Sequence, residues 1–261
     1  MNIHAIEEVD ERAGERAPVL AIRFGRGRTG GTTFLDFVVQ RARRAGRTVA
    51  IADGDAHNAT LARLYPPGEE GGAIRPRGSD IGDVTEWVTE VVSQMAADRS
   101  SMVLDMGAGD KALEEHAKEM NLREFCEAAG VRTLAIYSLG PTFDDFNHIM
   151  NIYEKGYFRS ERSILVLNES LVAAGKSAGG AFDFVFSHPR FKAIDEDARS
   201  AIMPRLACME AMRNESLSFY EAAEGKRGLS GRPMSLGHQF MVKTWINRME
   251  ENLSDLDAWL P

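Results

Sequence analysis

Residues 25 to 33 read Gly-Arg-Gly-Arg-Thr-Gly-Gly-Thr-Thr and lie between an apolar run, Val19-Leu20-Ala21-Ile22, and a stretch, Thr33-Phe34-Leu35-Asp36-Phe37-Val38-Val39, that reads as the first turns of a helix. A glycine-rich turn in that setting commits the chain to a strand, loop and helix unit. The frame G-x-x-x-x-G-[K]-[ST] is met by Gly25, Gly30 and Thr32, while Gly31 stands in the slot where such a loop carries lysine. Glycines in such a loop let successive backbone N–H groups converge on phosphate oxygens, and the helix N-terminus adds partial positive charge. Thr32 would offer its hydroxyl to a magnesium ion. Without the lysine, weaker phosphate binding and less stabilisation of phosphoryl transfer are expected. Arg26 and Arg28 are the charges inside the loop, although Arg28 stands where glycine is usual and strain is expected there. A glycine turn with no ligand is the alternative reading of the same residues.

Short apolar runs recur over 19–24, 48–52, 102–104, 133–137, 163–167 and 182–186, separated by stretches of helical length and period that include 80–97, 111–129 and 143–155. Strand and helix alternate, and the strands are too apolar to face water on either side. This predicts an α/β fold, a mainly parallel sheet with helices on both faces, with ligands at the carboxyl ends of the strands. Residues 66–77 and 225–233 read as loops. Beyond them Leu236, Phe240, Met241, Trp245, Ile246, Met249, Leu253 and Leu256 repeat at helical spacing. Such a stripe packs on its own domain or serves a partner.

The chain has 261 residues, 44% hydrophobic and 27% charged, with a formal charge of −8. That balance excludes broad coating of nucleic acid or anionic lipid by charge alone. Arg41, Arg43, Arg44 and Arg47 crowd the end of the first helix, where the macrodipole favours cations. Cys126 and Cys208 stand far apart, without metal-ligand spacing, as expected of reduced thiols in a cytoplasmic protein. No window approaches a membrane span or a signal peptide. Residues 1–17 read as a flexible tail and 18–261 as one domain.

Two further strand ends carry candidate chemistry. Asp53 and Asp55 leave the second run one residue apart, which suits orienting a water or meeting a metal's water shell, or else capping the next helix. Met102-Val103-Leu104-Asp105 ends an apolar strand in a carboxylate placed for magnesium, with Gly107 and Gly109 behind it. Asn168 at the end of the fifth run offers an amide for the edge of a purine base or for a turn. Ser187-His188-Pro189-Arg190 follows the sixth run, where a loop would close over that base.

Together these elements resemble the ParA/MinD family of deviant Walker A P-loop ATPases. The family's K-G-G-x-G-K-T-T loop aligns with Arg26-Gly27-Arg28-Thr29-Gly30-Gly31-Thr32-Thr33, and Asp55-x-x-Asn58-Ala59-Thr60 is similar to the conjugation and plasmid-stability branch of TraL- and StbB-like proteins. The resemblance covers most of the chain and weakens after about residue 204. It implies a P-loop NTPase-like fold, ATP and Mg2+ as ligands, and a nucleotide-dependent homodimer acting in plasmid conjugation, partition or stability, with direct DNA contact left open. By the same resemblance Gly25, Gly27, Arg28, Thr29, Gly30, Gly31, Thr32 and Thr33 hold phosphates, and Thr32 and Asp105 serve the metal. Asp55 positions the attacking water, Arg26 reaches across the dimer, and Asn168 reads the base. Gly31 and Arg28 depart from the pattern, so hydrolysis is expected to be slow or absent. The alternative is a pseudo-ATPase scaffold that binds partners without nucleotide and exposes apolar surface on its last helix.

Overall fold

The computed structural model describes residues 16–55, 58–107, 110–156, 158–195 and 198–261. Most of the expected tail, together with Ala56, His57, Ala108 and Gly109, lies outside the described residues.

Among the described residues seven strands form one sheet: β1 (Val19–Phe24), β2 (Val49–Asp53), β3 (Ala73–Ile74), β4 (Ser101–Asp105), β5 (Arg132–Leu139), β6 (Arg162–Asn168) and β7 (Ala198–Met203). Their order is β3-β2-β4-β1-β5-β6-β7, and every pairing is parallel. The helices are α1 (Gly31–Arg44), α2 (Thr60–Leu64), α3 (Ile81–Ala97), α4 (Asp110–Glu119), α5 (Leu122–Ala128), α6 (Phe143–Lys155), α7 (Ala178–Ala181), α8 (Asp183–Ser187), α9 (Lys192–Asp195), α10 (Met209–Asn214), α11 (Phe219–Ala223) and α12 (Leu236–Leu253). Parallel strands need crossovers, and the helices supply them on both faces.

The pleat of β1 divides the core. Leu20, Ile22 and Phe24 face one layer with Trp87, Val88 and Val91 of α3 and Phe146, Ile149 and Met150 of α6. Val19 and Ala21 face the other with Phe34, Phe37 and Val38 of α1 and Val242, Trp245 and Met249 of α12. By the same alternation Arg23, two residues beyond Ala21, belongs to the α1 side. The arginines at the end of α1 meet acids of the carboxyl-terminal segment: Arg41 pairs with Glu250 at 2.6 Å and with Asp257 at 2.7 Å. A groove lined by Arg16, Arg41, Arg44 and Arg47 with those acids lies at this end of α1, away from the loop at its start.

Three expectations are corrected. Residues 182–186 form no strand, because Phe182 caps α8 and Phe182 and Val185 turn into the core at helical spacing. The sheet edge is filled by β7, whose mixed exposure hid it among polar residues. The stretch 111–129 breaks at Asn121, whose side chain accepts from the N–H groups of Arg123 and Glu124 and starts α5 anew. Within 66–77, Ala73–Ile74 adds a short strand beside β2.

Candidate functional site

The carboxyl ends of β4, β1 and β5 lie side by side at the centre of the sheet, and the loop from Gly25 to Gly30 leaves the middle one. Gly30 caps α1 in the left-handed region at φ 87°, and among the described residues no side chain caps the helix. A Cβ on Gly30 would lie 2.3 Å from the Asn168 amide nitrogen, so close approach as well as φ requires glycine. Arg28 adopts φ 69° and is exposed, a strained conformation for a residue with a Cβ. Among the described residues none accepts a hydrogen bond from the backbone N–H groups of Gly30 to Thr33, although Gly31 is buried. A run of unpartnered donors at an uncapped helix start is what an anion satisfies.

Thr32 Oγ1 donates to Asp105 Oδ2 at 2.6 Å. The hydroxyl comes from the first turn of α1 and the carboxylate from the tip of β4, so the pair sits under the loop. Magnesium is held by one or two carboxylates with waters and substrate phosphates, and this donor set fits that chemistry. No group of three or more His, Cys, Asp or Glu able to hold a metal occurs among the described residues.

Asp53, 1% exposed, accepts from Asp55 N at 3.1 Å and from Ala62 N at 2.8 Å, and so shapes the turn that carries Asp55. Burial pushes the Asp53 carboxyl above its ordinary range; the nearby Asp105 adds to this, while the two N–H groups oppose it. Asp55 reaches the turn after β4, since a Cβ on Gly107 would lie 2.3 Å from Asp55 Oδ2. The two acidic strand ends therefore converge.

Asn168 is 3% exposed; its amide donates to Thr29 O at 2.9 Å and its carbonyl accepts from Ser170 N at 2.9 Å. Arg26 leans away from the loop toward the first turn of α6, 3.4 Å from Asp145 and 3.7 Å from Asp144. The segment after α8 braces α6: Arg190 pairs with Glu154 at 2.7 Å and bonds Asn147 and Asn151 at 3.1 and 2.9 Å. With a helix in place of the expected sixth strand, that segment has lost the position from which a base-closing loop was expected.

One residue at the site escaped the sequence reading. Arg23 is 3% exposed within a strand whose other members are all apolar. Its Nε donates to Ser138 Oγ at 3.2 Å, Nη1 to Gly107 O at 3.0 Å, and Nη2 to Arg26 O and Thr29 Oγ1, each at 3.0 Å. Asp105 Oδ1 lies 3.6 Å from Nη1. The signal available in the sequence was a lone charge in a central, otherwise apolar strand, which is tolerated in a core only when paired.

No protein-family model matches the chain, and no curated protein does. Among solved structures it is similar to a chain of the MinC:MinD cell division protein complex of Aquifex aeolicus, at 12% identity and a TM-score of 0.51, over 88% of this chain and 96% of that one. It is also similar to chloroplast FtsY of Physcomitrella patens, at 13% identity and a TM-score of 0.48, and to the signal recognition particle receptor FtsY of Elizabethkingia anophelis, at 12% and 0.48. The chain spans 65% of the length of each FtsY chain and is itself covered over 89% and 88%. With an all-parallel sheet and the glycine loop leaving its central strand, the chain has an α/β fold of the P-loop NTPase type.

Proposed function

We propose that the protein is a nucleotide-binding switch of the ParA/MinD kind that binds ATP with Mg2+, pairs into a homodimer in the bound state, and hydrolyses the nucleotide slowly or not at all. The observation that carries this reading is the Thr32–Asp105 contact of 2.6 Å beneath a helix start whose N–H groups have no acceptor among the described residues. The loop N–H groups of Gly27 to Thr33 would take the phosphates, and Thr32 and Asp105 the magnesium. Asp55, beside Gly107, orients water. Asn168 keeps one N–H and one lone pair beyond its bonds to Thr29 and Ser170, enough to meet a base edge.

A role in plasmid transfer or partition rests on the sequence resemblance around Asp55 to Thr60, and a cytoplasmic location follows from that role. The Aquifex structure is of a complex between two proteins, and a partner protein is proposed for this chain as well. No described helix is long and apolar enough to cross a membrane.

Calorimetric titration with ATP, ADP and GTP, with and without magnesium, tests the reading. Saturable binding of ATP that requires magnesium is expected, and Thr32→Ala should weaken it at least about tenfold by removing the hydroxyl at the metal. Absence of binding by every nucleotide to the folded protein would overturn it. The exposure of Leu236 at 82% and Phe240 at 71% on α12 favours a second reading, a scaffold that holds a partner through this helix without nucleotide.

A further inference from the structure

We propose that Arg23 supplies, from strand β1, the fixed positive charge that a phosphate-binding loop otherwise takes from a lysine at position 31, and that Gly31 is the residue that makes room for it. The proposal deepens the nucleotide reading of this site and rests on it.

The space decides which residue is which. A Cβ at position 31 would lie 1.9 Å from Arg23 Nε, 2.7 Å from Ser138 Oγ and 2.8 Å from Arg23 Cζ. Even alanine cannot stand there while the guanidinium holds its place, and a lysine would have to start its side chain through the arginine. Glycine is therefore the counterpart of the arginine: the charge reaches the loop from the strand below it instead of from the helix beside it. The parity of β1 makes this possible, because the residue two beyond Ala21 faces the start of α1.

The other candidate charges are excluded by position. Arg26 is engaged by Asp144 and Asp145, and Arg28 is exposed. Arg23 alone bonds the loop from inside, holding Arg26 O and Thr29 Oγ1, and its Nη1 also holds Gly107 O of the turn after β4. Its hydrogen bonds to Ser138, Gly107, Arg26 and Thr29 leave it to act on a phosphate through its field and by fixing the loop's shape. Among the described residues its only carboxylate within 4 Å is Asp105, which also takes the Thr32 hydroxyl and the N–H of Gly107. A carboxylate that serves a divalent cation no longer neutralises the guanidinium, whose charge is then left for an anion. Desolvating a guanidinium is unfavourable before any pairing, so mere filling of this space would favour an apolar side chain.

Five proteins test the proposal by calorimetry with MgATP and by thermal melting: the wild type, Arg23→Lys, Arg23→Met, Gly31→Lys and the double variant Arg23→Met with Gly31→Lys. The wild type and Arg23→Lys should bind, Arg23→Met should bind about 10- to 100-fold more weakly, and the double variant should recover affinity to within about fivefold of the wild type. Gly31→Lys alone should melt well below the double variant, since only there do the two side chains compete for one space. Unchanged or tighter binding by Arg23→Met, or a double variant no better than Arg23→Met, would overturn the proposal while leaving the nucleotide reading intact. A wild type that binds no nucleotide ends both, and binding by the double variant alone would then mark Arg23 as a plug in the site.

Discussion

His116 lies on the α3 side of the sheet, 1% exposed, with Nε2 2.9 Å from Thr89 Oγ1 and with Nδ1 finding no acceptor or donor among the described residues. Burial holds its imidazole below the ordinary histidine value, with Glu119 opposing more weakly. A base whose folded value is depressed is neutral in the native state while the unfolded chain takes up the proton first. Stability is then complete above about pH 6.5 and lost as pH falls below it toward the folded value. Urea unfolding followed from pH 7.5 to 5 should show this loss, and His116→Gln should flatten it; an equal slope in both proteins would remove His116 as its cause. Arg23 is buried too, and its partners are set by the pleat of β1. Neither residue's role is legible locally, because each depends on what a distant segment places against it.

Among elements, α1 and α12 show how far periodicity reaches. Both were expected as helices; α1 buries its apolar side, while α12 buries only part of its expected stripe. Trp245 stacks on Phe219 at 4.5 Å, meets Phe37 edge-on at 5.2 Å and donates Nε1 to Pro204 O at 2.7 Å. Trp245→Ala should cost about 3–5 kcal/mol in urea unfolding, through lost transfer energy and the cavity left behind. Phe240→Ser, on the exposed side of the same helix, should stay within about 0.5 kcal/mol of the wild type. The same stripe contained both residues, and spacing did not separate the core positions Trp245, Ile246, Met249 and Leu253 from the exposed Leu236, Phe240 and Met241. The aromatic run at 182–186 misled for a related reason: five residues are too few to distinguish alternation from a short helix.

At the scale of the whole molecule the reading requires two copies of the chain. The protomer is 28.8 kDa, and light scattering with MgATP should report about twice that mass, reverting when magnesium is chelated. Arg26 is the residue assigned to reach a second copy, and within the protomer its side chain is 47% exposed beside Asp144 and Asp145. The pair with Asp144, whose side chain is 81% exposed, contributes about 0–1 kcal/mol, whereas Asp145 is buried and costs the arginine more to leave. Arg26→Ala should reduce the dimer while retaining nucleotide binding by the protomer. A variant that dimerises as the wild type does would confine Arg26 to bracing α6.

By itself the amino-acid sequence determined the alternation of strand and helix, the parallel α/β class, and the three strand ends that carry Gly25 to Thr32, Asp53 and Asp105, because periodicity and glycine frames are written in neighbouring residues. Only the tertiary structure decided what fills the lysine's place. Arg23 and Gly31 are eight positions apart and belong to different elements, and their shared space exists only once β1 and α1 are packed together. Contact across the core is a property of the fold, so an empty slot in a motif and a stray charge in a strand become one feature only there.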